Sequence, residues 1–215
     1  MSKLNVSIID YGVGNLLSVA RGLERCGAKV TITSNPKKIL SSFRVVLPGV
    51  GAFSNGMKEL KKNNLDEVVR EVADKEVPLL GICLGMQMLL DESEEFGKTK
   101  GLGLISGKVI PIPTITIDGN RQKIPHIGWN SLKLSKNYQN WKKTPLAKVQ
   151  EYEEVYFTHS FMANPSSSKY RLADCLYGGL SIAAFIKKNN IFGCQFHPEK
   201  SGKVGLKILK SFINM

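Results

Sequence analysis

Val77-Pro78-Leu79-Leu80-Gly81-Ile82-Cys83-Leu84-Gly85-Met86-Gln87-Met88-Leu89-Leu90 is the stretch that decides how this chain folds. Residues 77–82 are apolar enough for a strand buried on both faces, and residues 86–90 form a helical run, so Gly81-Ile82-Cys83-Leu84-Gly85 lies on a sharp strand-to-helix turn. Such a turn lifts the side chain at its apex clear of the sheet. It tolerates only small residues two positions before and after the apex, where a Cβ would collide with adjacent strands, and glycine stands at both. The helix start directs unsatisfied N–H groups at the apex, which favours a thiolate, and the N–H of Leu84 is placed to stabilise a tetrahedral oxyanion. Cys83 is therefore the candidate nucleophile.

Outward from this turn the chain alternates strands and helices. Residues 6–9 read as a strand that ends in the turn signal Asp10-Tyr11-Gly12-Val13-Gly14. A helix follows, with Asn15 as its cap, Leu16, Val19, Ala20 and Leu23 as its apolar stripe and Gly27 as a left-handed C-cap. Residues 29–33 and 44–47 are the next strands, the latter running into Pro48-Gly49-Val50-Gly51, and residues 57–72 read as mostly helical. This order predicts an α/β fold with a largely parallel sheet covered on both faces. From Leu102 the pattern changes to short strand-like runs at 108–110, 155–158, 182–186 and 191–195, an antiparallel extension. Residues 136–148 are polar, basic and without apolar period, so they read as a surface excursion. An amphipathic helix begins near Ser201, with Lys200, Lys203, Lys207 and Lys210 on its solvated side. No repeat or low-complexity linker divides the chain, which reads as one domain over residues 4–215.

Composition narrows the function. With 215 residues, 42% hydrophobic and 22% charged, the chain has the make-up of a globular protein. No apolar run approaches the roughly 20 residues that span a bilayer, and Met1-Ser2-Lys3-Leu4-Asn5 opens no signal-peptide pattern, so a cytoplasmic location and no membrane partner are expected. Thirty Lys and Arg against 18 Asp and Glu give +12, but no basic-aromatic motif accompanies the charge, and no nucleic-acid partner is expected. The four cysteines lack CxxC pairing, which leaves zinc and disulfide frameworks unsupported; Cys26, Cys175 and Cys194 read as packing residues. Gly12-Val13-Gly14 has no third glycine, and no acidic residue follows Thr33-Ser34 to hold a ribose, so a dinucleotide is not expected. Neither a cofactor nor a metal is implied.

A cysteine nucleophile needs a base, and only His126, His159 and His197 are available. Gln195-Phe196-His197-Pro198-Glu199 offers the best arrangement. Strand geometry would put His197 and Glu199 on one side, roughly 6.5 Å apart at Cα, with Pro198 stiffening the segment. The carboxylate can then accept the Nδ1 proton and leave Nε2 facing the sulfur.

At these residues the chain resembles a known family. Gly81-Ile82-Cys83-Leu84-Gly85-Met86-Gln87 with Gln195-Phe196-His197-Pro198-Glu199-Lys200-Ser201 resembles the class I (triad) glutamine amidotransferases. Tyr11-Gly12-Val13-Gly14-Asn15, Leu47-Pro48-Gly49-Val50-Gly51-Ala52-Phe53, Pro125-His126-Ile127-Gly128-Trp129-Asn130 and Tyr156-Phe157-Thr158-His159-Ser160-Phe161 are similar to the glutaminase subunits of imidazole glycerol phosphate synthases. The resemblance implies a flavodoxin-like fold and a Cys83-His197-Glu199 triad that hydrolyses L-glutamine to glutamate and ammonia. It further implies that Gln87 and the backbone around Ser160 and Phe161 hold the substrate, and that Gly49, Val50 and Gly51 form an oxyanion strand. The glycines beside Val50 permit a peptide flip, so the oxyanion hole could form only when a partner signals. The amidotransferase region takes up all 215 residues. A second chain is therefore expected, which in this family is a (β/α)8 barrel synthase forming a heterodimer and making imidazole glycerol phosphate and aminoimidazole carboxamide ribotide in histidine biosynthesis. Asn15, Trp129, Tyr156 and Lys200 occupy the motif positions that would line the docking surface. His126 and His159 fit interface or scaffold roles, and Trp129 fits the core as well as the interface. One alternative keeps the chemistry and changes the partner: Leu16-Leu17 replaces the basic residue that many histidine-pathway members carry after the asparagine, as in paralogues that supply sugar-modifying synthetases of surface polysaccharide pathways.

Overall fold

The computed structural model describes residues 4–215. An eight-stranded sheet runs through the centre in the order β2-β1-β3-β4-β14-β13-β12-β9. Its parallel half is built from β1 (Asn5–Ile9), β2 (Lys29–Thr33), β3 (Arg44–Leu47), β4 (Leu79–Ile82) and β14 (Ile191–Cys194). The antiparallel extension consists of β13 (Leu180–Lys188), β12 (Arg171–Tyr177) and the short β9 (Lys133–Leu134). The four residues of β3 and of β4 are buried without exception, the pattern expected where helices cover both faces of a parallel sheet.

Two cores result, one on each face. Helices α1 (Leu16–Arg25) and α6 (Gly202–Ile213) cover one face, burying Val19, Leu23, Ile208, Leu209 and Phe212 against Val46, Leu80 and Phe192. On the other face lie α2 (Pro36–Leu40), α3 (Phe53–Lys62), α4 (Leu65–Asp74) and α5 (Leu84–Met88), with Ile39, Leu60, Val69 and Met86 packed on Val45, Leu47 and Leu79. A second sheet, ordered β11-β7-β5-β6, joins β5 (Glu92–Ser93), β6 (Thr99–Lys100), β7 (Gly107–Pro111) and β11 (Phe161–Pro165). The pair β8 (His126–Ser131) and β10 (Glu154–His159) forms an antiparallel ribbon whose register sets Trp129 opposite Tyr156 and His126 opposite His159.

Several local expectations are corrected. Asn15 occupies the N-cap position of α1, but its side chain makes no capping hydrogen bond. The helical stretch expected over 57–72 is two helices, broken where Asn64 takes a left-handed φ of 53°, a conformation asparagine tolerates better than most residues. The helix after Cys83 spans Leu84–Met88, shorter at its C-terminus than the run expected to residue 90. Its trailing carbonyls accept from the following loop, Leu102 N–H bonding Met88 O and Leu104 N–H bonding Leu89 O, so no further helical turn forms. Residues 136–148 contain no helix or strand, yet Trp141 and Leu146 join the first core and Trp141 Nε1–H donates to Leu172 O at 3.0 Å. This segment is thus a partly buried strap. Helix α2, unforeseen, is started by Asn35, whose Oδ1 accepts from Lys38 N–H at 3.2 Å, followed by Pro36 at the first helical position.

Candidate active site

The C-terminal ends of β1, β3, β4 and β14 lie side by side along one edge of the parallel half, the edge where open parallel sheets usually carry their chemistry. Cys83 follows β4 directly, and its N–H donates to Cys194 O on the neighbouring β14 at 2.8 Å. The backbone at Cys83 adopts φ 54° and ψ −110°, a strained apex. Both flanking glycines are sterically required, for different reasons. A Cβ on Gly85 would lie 1.9 Å from Leu47 O of β3, the collision with an adjacent strand that was expected. A Cβ on Gly81 would instead strike the following helix, 2.7 Å from Gly85 O and Met86 N. The other three cysteines are also buried, and burial pushes the Cys175 thiol up to about 12 and that of Cys194 well above its ordinary value. That keeps them protonated and unreactive.

His197 and Glu199 meet through a turn rather than strand alternation, because Pro198–Lys200 is a 3-10 turn. His197 Nδ1 lies 2.8 Å from Glu199 Oε1, with the two side chains 3% and 1% exposed. Burial works against the imidazolium, but the interaction with the Cys83 sulfur and the hydrogen bond to Glu199 outweigh it and raise the His197 pKa from 6.5 to about 9. His197 is therefore protonated at neutral pH and poised as an acid. Ser201 fixes the turn: its Oγ donates to His197 O at 2.6 Å and accepts from Tyr156 N–H at 3.0 Å.

Around the sulfur the remaining nominated residues take distinct positions. Leu84 N–H donates to Gly49 O at 3.3 Å, so this donor is engaged by Pro48-Gly49-Val50-Gly51, which is a loop following β3 and not the strand expected. Gly49 is buried, Val50 is 40% exposed and Gly51 has φ 87°. Gln87 is buried one turn beyond Cys83, and its Nε2 donates to Phe161 O and to Gln195 Oε1, each at 3.0 Å. Ser160 and Phe161 are half-buried at the junction of β10 and β11. Asn15 and Lys200 are exposed, Tyr156 is half-buried, and Trp129 is 54% exposed, which removes it from the core. The Trp129 and Tyr156 rings meet edge-on with centroids 6.1 Å apart.

Two residues of the candidate site escaped sequence reasoning. Gln195 Nε2 lies 3.8 Å from Cys83 Sγ while its Oε1 takes a bond from Gln87, so it links the two side chains. Tyr11, fully buried, donates its hydroxyl to Pro48 O at 2.7 Å and braces the Pro48-Gly49-Val50-Gly51 loop. Its signal was faint, a tyrosine inside a turn motif with no chemistry of its own.

Comparison with known proteins bears on this geometry. The model of the class-I glutamine amidotransferase family matches residues 7–215. The imidazole glycerol phosphate synthase subunit HisH 1 of Legionella pneumophila (strain Lens) is 53% identical over 211 residues, spanning 98% of this chain and 99% of the relative. The corresponding HisH subunit of Geobacillus sp. (strain WCH70) is 44% identical over 210 residues, 98% of this chain and 96% of the relative. Among solved structures, PurLQS from Thermotoga maritima superposes with a TM-score of 0.73 at 18% identity over 99% of each chain, a likeness of fold alone.

Proposed function

The chain belongs to the class-I glutamine amidotransferase family, and from that membership we propose that it is the glutaminase subunit of an imidazole glycerol phosphate synthase in histidine biosynthesis. The observation that carries this reading is 53% identity to a HisH subunit over nearly the whole of both chains. The polysaccharide-pathway alternative, raised by Leu16-Leu17, is not favoured by relatives that are named for imidazole glycerol phosphate synthase.

The chemistry runs through the residues described. Cys83 sulfur attacks the side-chain amide carbon of glutamine, and the carbonyl oxygen becomes an oxyanion. Protonated His197 gives its proton to the amide nitrogen, the C–N bond breaks, and ammonia leaves a thioester on Cys83. Neutral His197, oriented by Glu199, then takes a proton from water, whose oxygen displaces the sulfur and releases glutamate. Gln87 and the backbone of Ser160 and Phe161 hold the amino-acid end of the substrate. The oxyanion hole is completed by turning the Gly49-Val50 peptide: the Gly49 carbonyl leaves Leu84 N–H, and Val50 N–H comes in as a second donor. The resting contact between Gly49 O and Leu84 N–H supports this order of events.

Ammonia in water at neutral pH is mostly ammonium and no longer a nucleophile, so the product passes directly to a synthase subunit. That partner is a (β/α)8 barrel docked over the face carrying Asn15, Trp129, Tyr156 and Lys200. Co-purification with the synthase, followed by glutamate release with and without the acceptor substrate, tests the reading. Release that depends on synthase and acceptor, with Cys83→Ala losing glutamine-driven synthesis but keeping ammonium-driven synthesis, is the expected result. Release stimulated only by a sugar-modifying synthetase would overturn it.

A further inference from the structure

His126 and His159, which the glutaminase chemistry does not use, lie buried side by side beneath the Trp129–Tyr156 face. They stand opposite each other on β8 and β10, 3% and 6% exposed. His126 is clamped between Phe157 and Tyr177, at ring-centroid distances of 4.9 and 4.0 Å. His126 Nδ1 lies 3.0 Å from His159 Nε2. At the two outer ends, His159 Nδ1 lies 2.8 Å from Phe161 O, and His126 Nε2 lies 3.3 Å from Asn130 Nδ2.

The proton positions follow from backbone groups at both ends. A carbonyl oxygen only accepts, so His159 carries its proton on Nδ1; a neutral His159 then accepts at Nε2, and His126 must donate from Nδ1. From the other side, Ser131 N–H donates to Asn130 Oδ1 at 2.8 Å, and Asn130 Nδ2 donates to Leu176 O at 2.8 Å. This turns the amide nitrogen toward His126 Nε2, which accepts. Both ends impose the same direction. Burial keeps the rings neutral, lowering His126 to about 4 and His159 to about 3, whereas a second proton on either ring would set two N–H groups face to face.

We propose that His126 and His159 are positioning residues for glutamine, forming a one-way chain of donors from Asn130 through His126 and His159 that fixes the Phe161 carbonyl at the substrate cradle. The proposal rests on the glutaminase reading above. The Phe161 carbonyl also accepts from Gln87 Nε2 at 3.0 Å, so its placement sets the placement of Gln87. On the opposite face of the same two strands, Ile127 and Trp129 point outward, each 54% exposed. The chain of donors therefore lies between the docking face and the amino-acid end of the substrate.

The test reads ring tautomers by 15N NMR on the free chain and glutamine kinetics on the synthase complex. In the wild type both rings are expected in the Nδ1–H form. His126→Leu removes the donor to His159 Nε2 while the Phe161 carbonyl still holds the His159 proton on Nδ1: the Nε2 15N resonance shifts as its lone pair loses its partner, and KM for glutamine rises about 5-fold while kcat stays within about 2-fold. His126→Asn, whose amide nitrogen replaces Nδ1, restores KM. Should His126→Leu fail to fold, Asn130→Ala at the half-buried end gives the same reading, with a shifted His126 Nε2 resonance and a raised KM. An Nε2–H form of His159 in the wild type, an unchanged KM in the folded variants, or failure of His126→Asn to restore KM would overturn the proposal. A wild-type complex that releases no glutamate overturns the glutaminase reading instead, and the tautomers, which need no turnover, tell the two failures apart.

Discussion

Cys83 stands at φ 54° on a turn that closes only because Gly81 and Gly85 carry no side chain. The two glycines differ in what they face, and Gly85 is the more demanding, since its added Cβ would overlap Leu47 O at 1.9 Å. Gly85→Ala must push β3 and α5 apart, and a loss of at least ~3 kcal/mol in urea unfolding is expected. Little or no loss would mean that the turn relaxes freely. The His197–Glu199 pair gives a second expectation at this scale. A histidine raised from 6.5 in the unfolded chain to about 9 in the folded one stabilises fully below pH 6.5 and loses that contribution as pH rises through 9. Glu199→Gln removes one cause of the rise, so the alkaline fall in Tm moves to lower pH, which melting curves from about pH 6 to about pH 10 will show. Cys83, His197 and Glu199 stood out in the sequence because a cysteine between two glycines and a histidine two residues before a glutamate each carry a local pattern, and the structure sets His197 against Glu199. What remained hidden was geometry: the 3-10 turn at Pro198 and the bond that occupies Leu84 N–H arise from contacts made across the fold.

The Pro48-Gly49-Val50-Gly51 loop is held on two sides. Leu84 N–H grips the Gly49 carbonyl, and the Tyr11 hydroxyl grips the Pro48 carbonyl. A Cβ on Gly49 would lie 2.8 Å from the Tyr11 hydroxyl, so the tyrosine also limits what can stand there. If the loop must turn for the oxyanion hole to form, Tyr11→Phe frees it. Basal glutaminase activity of the subunit without its partner should rise about 5-fold, the worth of one buried neutral hydrogen bond; glutamate release at or below the wild-type rate would exclude Tyr11 as a restraint. Among elements, helices with a clear apolar stripe and fully apolar strands were readable, α1, β3 and α6 foremost. The break at Asn63-Asn64 was not, because asparagine is a moderate helix former and its left-handed conformation is decided by how α3 and α4 pack. Ribbon strand β8 was missed for a similar reason: His126, Gly128 and Asn130 line its inner side, where an apolar alternation would have marked a strand.

At the scale of the molecule, the parallel half was legible from the alternation of strands and helices, whereas the grouping of the short strands into a second sheet and a ribbon depends on long-range pairing that no local pattern encodes. The charge is similarly distributed in meaning. Of the lysines on α6, Lys207 pairs with Glu153 and Lys210 donates to Cys26 O at 2.6 Å, so part of the +12 closes the protein on itself. The outward face of the β8–β10 ribbon is different in kind. Ile127 and Trp129 are each 54% exposed on neighbouring outward positions of one strand, beside half-buried Tyr156, so three apolar side chains are grouped at one place on the surface. A large aromatic ring at such a place is the usual anchor of a protein interface. Trp129→Ala is expected to weaken binding to the synthase about 30-fold, equivalent to ~2 kcal/mol, and to leave the melting temperature nearly unchanged, because the ring contributes little to either core. Titration calorimetry beside thermal melting separates the possibilities: unchanged affinity would move the docking face elsewhere, and a large fall in Tm with unchanged affinity would return Trp129 to a structural role.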